Sequence, residues 1–277
     1  MCQLLGMNCN VPTDICFSFA GFQARGGATD VHADGWGIGF FEAQPGQHAK
    51  GCRVFLDPLP SAQSPIAQLV RDYPIRSMNV ISHIRKATQG VVALENTHPF
   101  QRELWGRYWL FAHNGNLRED VAVLRPESHY RPVGNTDSER AFCHLLDCLE
   151  QRFGRTPAAP EAVFRELALW AKAVGAGGEC NFLLSNGEWL IAHASTRLTY
   201  IVRQAPFATA HLMDQDVTVD FSEVTTPDDR VAVIATTPLT DNEVWTPMPA
   251  GTLWLFRDGV LVMQADTIAG PAKSLTC

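Results

Sequence analysis

Cys2 places a thiol one residue from the start of the chain, immediately ahead of the apolar run Gln3-Leu4-Leu5. If Met1 is removed, which the small Cys2 side chain favours, one residue carries both a thiol and a free α-amine. An α-amine ionises near about 7.7 to 8.0, far below a lysine, so near neutral pH a useful fraction can take a proton from the adjacent thiol. The nucleophile then brings its own base, as in the pairing of threonine with an N-terminal amine. Cys2 also fits a plainer role, as a small apolar residue opening a strand, and a lone cysteine does not choose between the two.

Other chemistry-bearing residues stand at the ends of apolar runs. Met78 to Ile84 is β-branched and apolar enough for a buried strand, and it delivers Arg85-Lys86-Ala87-Thr88-Gln89-Gly90 at its end. Tyr108 to Ala112 forms a second such strand, running into His113-Asn114-Gly115-Asn116, whose Asn-Gly pair predicts a turn. Thr136-Asp137-Ser138-Glu139 has the form of a capping box, with Thr136 reaching forward and Glu139 reaching back. That puts Asp137 in the first turn of a helix, where a carboxylate complements the helix dipole. Two other patterns carry less. Gly35-Trp36-Gly37-Ile38-Gly39 resembles a dinucleotide fingerprint, but no strand precedes it and no helix follows, so it reads as a strand closely approached by another backbone. His83, His98 and His113 lack any HExxH-type motif, and no metal is expected.

The elements that must position these residues follow in order. Residues 2 to 9 read as a strand, Ile15 to Phe22 as a helix closed by Arg25-Gly26-Gly27, Gly51 to Leu56 as a hairpin strand, and Ser64 to Tyr73 as a short helix. Ala141, Phe142, Leu145, Leu146 and Leu149 form one helical stripe, and Glu161 to Val174 a second helix. From Gly177 the pattern becomes short strands separated by hairpin signals. Strands, two helices and strands again predict two sheets with helices packed outside. Residues 1–265 form one domain in this reading, and 266–277 a loose tail.

The 277 residues are 46% hydrophobic and 18% charged, with no apolar stretch near the roughly 20 residues of a membrane span. Without a basic leader, the expected location is cytoplasmic. A net charge of −7 with scattered Lys and Arg argues against nucleic acid as a partner. Eight cysteines without a CxxC pair read as reduced, mostly buried thiols.

Several motifs then match together: Met1-Cys2-Gln3-Leu4-Leu5-Gly6, His32-Ala33-Asp34-Gly35-Trp36-Gly37, His83-Ile84-Arg85, Glu95-Asn96-Thr97-His98-Pro99-Phe100, Ala112-His113-Asn114-Gly115, Thr136-Asp137-Ser138-Glu139, Asn181-Phe182-Leu183-Leu184-Ser185 and Thr237-Pro238-Leu239-Thr240. In this order and spacing the chain resembles the class-II, N-terminal-nucleophile glutamine amidotransferases, in their compact, stand-alone YafJ-like branch. The resemblance implies an α+β fold, the four-layer αββα sandwich of N-terminal nucleophile hydrolases, with two mostly antiparallel sheets between helical layers. It also implies that Cys2 attacks a γ-carboxamide, that the Asn114 amide and the Gly115 N–H serve as oxyanion donors, and that Arg85 and Asp137 hold the α-carboxylate and α-ammonium of the substrate. Thr88, His98, Trp36 and Asn181 are expected to line or support the pocket, although burial alone accounts for Trp36 and a structural hydrogen bond equally for His98. Lys86 and Gln89 depart from the larger synthase-linked relatives, which carry an aromatic residue and a histidine there. No cofactor is expected.

The expected substrate is glutamine, cleaved to glutamate and ammonia, with a separate synthase subunit as a possible ammonia acceptor. Two alternatives stand beside it: hydrolysis of another γ-glutamyl amide or peptide, and non-catalytic γ-glutamyl binding if Met1 is retained.

Overall fold

The computed structural model describes residues 2–42, 51–88 and 90–268. Met1, Gln89 and the expected tail beyond residue 268 lie outside them. The elements run β1 (Gln3–Thr13), α1 (Cys16–Ala24), β2 (Trp36–Glu42), β3 (Gly51–Asp57), α2 (Pro65–Asp72), β4 (Ser77–Ile84), β5 (Phe100–Leu104), β6 (Arg107–Leu117), α3 (Asp137–Phe153), α4 (Pro160–Gly175), β7 (Gly178–Ser185), β8 (Leu190–Ala194), β9 (Thr199–Gln204), β10 (Thr209–His211), β11 (Thr218–Asp220), β12 (Arg230–Ala235), β13 (Thr246–Pro247), β14 (Thr252–Arg257) and β15 (Val260–Asp266). One sheet has the order β13-β9-β12-β1-β4-β2-β3 and the other β15-β14-β8-β7-β6-β5; β10 and β11 form a small separate hairpin. Neighbouring strands in both large sheets are antiparallel.

The alternation of side chains along each strand builds the layers. On β1, Leu5, Met7 and Cys9 join Phe19 and Phe22 of α1 and Ala67 and Val70 of α2 in one core. Leu4 faces the other way, into the layer between the sheets, with Ile81, Leu110, Ala112, Leu183 and Ile234. On β6, Trp109 and Phe111 meet the α3 stripe of Phe142, Leu145 and Leu149 and the Trp170 face of α4. Both faces of both sheets are therefore covered, giving the αββα sandwich. This is why the central strands read as nearly continuous apolar runs. Among the described residues no helix is long and apolar enough to cross a membrane.

The glycine-rich stretch is strand β2, hydrogen-bonded between β3 and β4. Its glycines are steric requirements: a Cβ on Gly37 would collide with the His98 carbonyl oxygen and lie 2.9 Å from that of Phe55. Backbone atoms cannot swing aside as a side-chain tip can. Gly37→Ala is accordingly expected to destabilise the fold by about 2 to 4 kcal/mol, read as a lower urea midpoint at unchanged slope.

Three expectations need correction. β6 does not turn at Asn114-Gly115 but continues to Leu117, pairing Asn114 with Asn181 and Gly115 with Cys180 of β7. The capping box is half formed: Thr136 Oγ1 accepts from the Glu139 N–H at 3.2 Å, while the Glu139 carboxylate accepts from Val133 N–H (3.0 Å), Gly134 N–H (2.7 Å) and Arg102. Cys2, Cys9, Cys16, Cys52, Cys143 and Cys180 are free thiols, but Cys148 is disulfide-bonded. At the far end β15 runs through Asp266, and Thr267 is tied in by its N–H to Gly251 O (2.6 Å) and its hydroxyl to His193 (2.8 Å).

Candidate active site

Cys2 lies just ahead of β1, a central strand, and three segments far away in sequence hold it. Its nitrogen donates to Asn114 Oδ1 at 2.9 Å, and Asn114 Nδ2 returns a hydrogen bond to Cys2 O at 2.6 Å. The next turn of backbone is fixed by Thr236, whose hydroxyl accepts from Leu4 N–H at 2.9 Å. The Sγ atom meets the main chain of Lys86, accepting from its N–H at 3.2 Å and approaching its carbonyl oxygen at 3.4 Å. Burial pushes the thiol up from its ordinary value, against the pull of the Lys86 N–H and the nearby Arg85 charge. The thiol is therefore the resting form at neutral pH, and attack requires a base.

Asn114 is itself held from behind. Asn181 Nδ2 donates to the Asn114 carbonyl at 3.1 Å and to Thr196 Oγ1 at 2.9 Å, while its Oδ1 accepts the N–H groups of Thr196 and Arg197. Asn181 thus ties the Asn114 backbone to the Thr196–Arg197 turn. Gly115 follows Asn114 on β6 with φ 159, which is extended backbone at the margin of the left-handed range, and a Cβ there would collide with the Glu179 carbonyl.

Arg85 follows the last residue of β4 and is buried, with its guanidinium donating to Val91 O at 2.9 Å and Gly90 O at 3.3 Å. The loop that it holds is stitched again by Asn96, whose Nδ2 donates to Val91 O (3.0 Å) and Asn135 Oδ1 (2.9 Å) and whose Oδ1 accepts from Asn135 N–H (3.0 Å). The loop therefore runs from beside the Cys2 thiol to the start of α3. Desolvation lowers the guanidinium below its ordinary value, while Cys2, Asp34 and Asp137 pull it back up. Thr88, exposed on this loop, donates to Asn116 Oδ1 at 2.7 Å and so links it to the end of β6.

Asp137 is buried at the first position of α3, its Oδ2 accepting from Leu117 N–H at 2.7 Å and its Oδ1 from Ser138 N–H at 2.9 Å. One carboxylate thus ties the end of β6 to the helix N-terminus. Asp137→Ala leaves the buried Leu117 N–H without its acceptor and is expected to cost about 1 to 3 kcal/mol. Thermal unfolding of Asp137→Ala beside Asp137→Asn, which keeps an oxygen there, checks this.

The histidines separate into two kinds. His113 contacts the Ser138 hydroxyl at 2.8 Å and Glu179 O at 3.1 Å, so both its ring nitrogens are occupied. His83 and His98 are buried side by side with their rings tilted, centroids 4.2 Å apart, and the Phe100 ring lies 4.4 Å from that of His98. Desolvation pushes His83 down to about 3 and His98 well below its ordinary value, so both are neutral at physiological pH. His98 thus stands in the interior, between His83 and Phe100 and near enough to Arg85 to feel its charge. Trp36 joins the α1 core instead, fully buried and 5.6 Å from the Phe19 ring. Among the described residues no group of three or more His, Cys, Asp or Glu side chains is arranged to hold a metal ion.

Cys2, Asn114, Gly115, Arg85 and Asp137 are thus brought to one end of the sandwich, with Thr88 at its rim and Asn181 beneath. Sequence reasoning passed over two contributors. Lys86 acts through its main chain, which leaves no signature in side-chain type. Asp34 receives the Ala87 N–H at 2.8 Å and is also held by a contact between its own N–H and Arg85 O at 3.2 Å; its place inside the His32 to Gly37 motif was the available signal.

An αββα sandwich with a nucleophilic side chain at the head of a central strand is the N-terminal nucleophile class of fold. Within that class the chain belongs to the class-II glutamine amidotransferases, whose family model matches residues 1–276. It is therefore an enzyme of amidotransferase and amidohydrolase type. The protein YafJ of Escherichia coli K12, named as a candidate glutamine amidotransferase, is 56% identical over 263 residues, 95% of this chain and 100% of its own length. A crystal structure of a predicted glutamine amidotransferase from Pseudomonas aeruginosa PA01 superposes with a TM-score of 0.73 at 44% identity, covering 94% of this chain and 99% of that one. The γ-glutamyl-hercynylcysteine sulfoxide hydrolase of Mycobacterium tuberculosis is 25% identical over 87% of this chain and 83% of its own length.

Proposed function

We propose that this enzyme hydrolyses a γ-glutamyl amide, with glutamine as the simplest case, through a thioester on Cys2. The observation that carries the reading is the double clamp on Cys2: Asn114 holds its nitrogen and carbonyl, and Lys86 N–H lies 3.2 Å from its sulfur. With Met1 removed, that nitrogen is an amine fixed beside the thiol. It takes the thiol proton as sulfur adds to the carbonyl carbon, then gives the proton to the departing nitrogen as the C–N bond breaks. Water enters by the reverse sequence, breaking the C–S bond and releasing glutamate. The second hydrogen of Asn114 Nδ2 and the Gly115 N–H are assigned to the transient oxyanion. Arg85 and Asp137 supply opposite charges for the two ends of an amino-acid head group. Thr88 is assigned to the pocket rim and His98 to its rear wall, while Trp36 supports β2 from the core.

The amide's other half is the open part of the reading. Ammonia passed to a separate synthase subunit fits the family, and cytoplasmic residence fits the chain's composition. A hydrolase acting on a larger γ-glutamyl compound is favoured by the similarity to the mycobacterial hydrolase. Acid-quenching the enzyme during turnover and measuring its intact mass tests the common step. A gain equal to one γ-glutamyl group, absent in Cys2→Ala, is the expected result; no adduct on any γ-glutamyl amide sinks the thioester.

A further inference from the structure

One positive group at the mouth of this site is left unused by the scheme above. The main chain of Lys86 touches the Cys2 sulfur through both its amide nitrogen and its carbonyl oxygen, at 3.2 and 3.4 Å. The flanking residues fix that backbone: Arg85 N–H donates to Gly35 O at 2.8 Å and Ala87 N–H to Asp34 Oδ2 at 2.8 Å. Whatever rotamer the Lys86 side chain takes, its root is a nearest neighbour of the nucleophile. The side chain itself is exposed, and among the described residues it enters no ion pair. The adjoining carboxylate, Asp34, already accepts from Ala87, and the Arg85 guanidinium is turned inward to Gly90 and Val91.

A lysine ammonium reaches on the order of 6 Å from its Cα. In a γ-glutamyl amide of an amino acid, the carboxylate of the departing half sits two bonds beyond the scissile nitrogen, roughly 3 to 4 Å from the carbon that sulfur attacks. The two ranges overlap. Ammonia, the leaving group of glutamine, offers nothing for an ammonium to bind. A solvated lysine is the common state on a surface, but the root of this one is held at the sulfur by its own main chain, so its charge stays within reach of whatever leaves from the attacked carbon.

We propose that Lys86 is a specificity residue for an anionic leaving group, and that the preferred substrates are γ-glutamyl amino acids or peptides carrying a carboxylate next to the scissile nitrogen. This rests on the γ-glutamyl amidase reading given above. It adds no step to the chemistry: the same C–N bond breaks, and the departing amine carries its carboxylate away with the proton from Cys2.

The test is a ratio, which cancels any effect that a substitution at Lys86 has on the thiol. The kcat/KM values for γ-glutamylglycine and for γ-glutamyl methylamide, whose leaving group is uncharged, are compared in protein shown by intact mass to lack Met1. The wild type is expected to favour γ-glutamylglycine by about tenfold, corresponding to about 1.4 kcal/mol. Lys86→Gln should bring the ratio to about one, Lys86→Glu should invert it, and Lys86→Arg should restore most of it. Raising the salt concentration should shrink the wild-type ratio by screening. Lys172→Gln, which removes an exposed positive charge from the last turn of α4, should leave the ratio alone. A ratio unmoved by Lys86→Gln overturns the proposal, as does an equal fall on both substrates, which would place the charge at the thiol or at the γ-glutamyl head group. Hydrolysis of both compounds with no preference in the wild type removes Lys86 alone. Hydrolysis of neither, nor of glutamine, removes the amidase reading and this inference together.

Discussion

Cys2→Ala is expected to lower glutamate release from any γ-glutamyl amide by at least about 10⁴-fold, since it removes the sulfur assigned to the proposed acyl intermediate. Circular dichroism and melting temperature should change little, because the residue is small and only half-buried. Retention of Met1 should have a similar effect with the thiol intact. Its nitrogen would then be an amide, which accepts no proton at neutral pH. The two losses separate by pH and by alkylation. In processed enzyme the rate should fall as pH drops below about 7.7 to 8.0, the range in which an α-amine takes up a proton and ceases to be a base. Burial holds the thiol above its ordinary value, so free thiolate cannot replace the amine on the acid side. Unprocessed protein should show no such limb, and its residual rate should rise only at alkaline pH. A processed Cys2→Ala enzyme with wild-type turnover would remove Cys2 from the mechanism outright.

Asn114→Ala is the second large effect. It deletes both hydrogen bonds of the clamp, 2.9 Å to the Cys2 nitrogen and 2.6 Å to its carbonyl, and with them the donor assigned to the oxyanion. Loss of one such donor lowers kcat by about 10² to 10³. The fall should appear in kcat with KM nearly constant, since the lost interaction is strongest in the transition state. Asn114→Asp keeps an acceptor for the Cys2 nitrogen and loses the donor. If it matches Asn114→Ala, donation is what matters; recovery to near wild type would reassign Asn114 to holding the amine alone.

Much of the architecture was legible because both sheets are covered on both faces. Runs such as Met78 to Ile84 are buried along nearly their whole length, with Val80, Ile81 and Ile84 apolar and Asn79, Ser82 and His83 enclosed among them, and the stripe from Ala141 to Leu149 faces one sheet. The miss at Asn114-Gly115 is instructive. An Asn-Gly pair is the strongest short hairpin signal, yet here the glycine is demanded by the Glu179 carbonyl crossing an extended strand. Nothing local distinguishes the two reasons for a glycine. Glu139 misled similarly, since its partners Val133 and Gly134 lie upstream of the box that its spacing suggests. The candidate site was visible through family resemblance, because its residues come from separate segments. Lys86 stood out only as a departure from larger relatives and Asp34 only as a member of a motif; their contacts were not visible, because Lys86 meets the sulfur through its backbone and Asp34 accepts a loop N–H.

The first strand lies in the middle of its sheet, between β4 and β12, and this has a consequence for the order of events during synthesis. β12 and Thr236, which close over β1, are made after some 230 residues have left the ribosome. Until then β1 can pair on its β4 side alone, and its β12 side stays open. Met1 can be trimmed in that interval by any processing enzyme that follows the ribosome. The strand that carries the nucleophile thus gains its second neighbour only near the end of synthesis, which leaves most of that time for the removal of Met1.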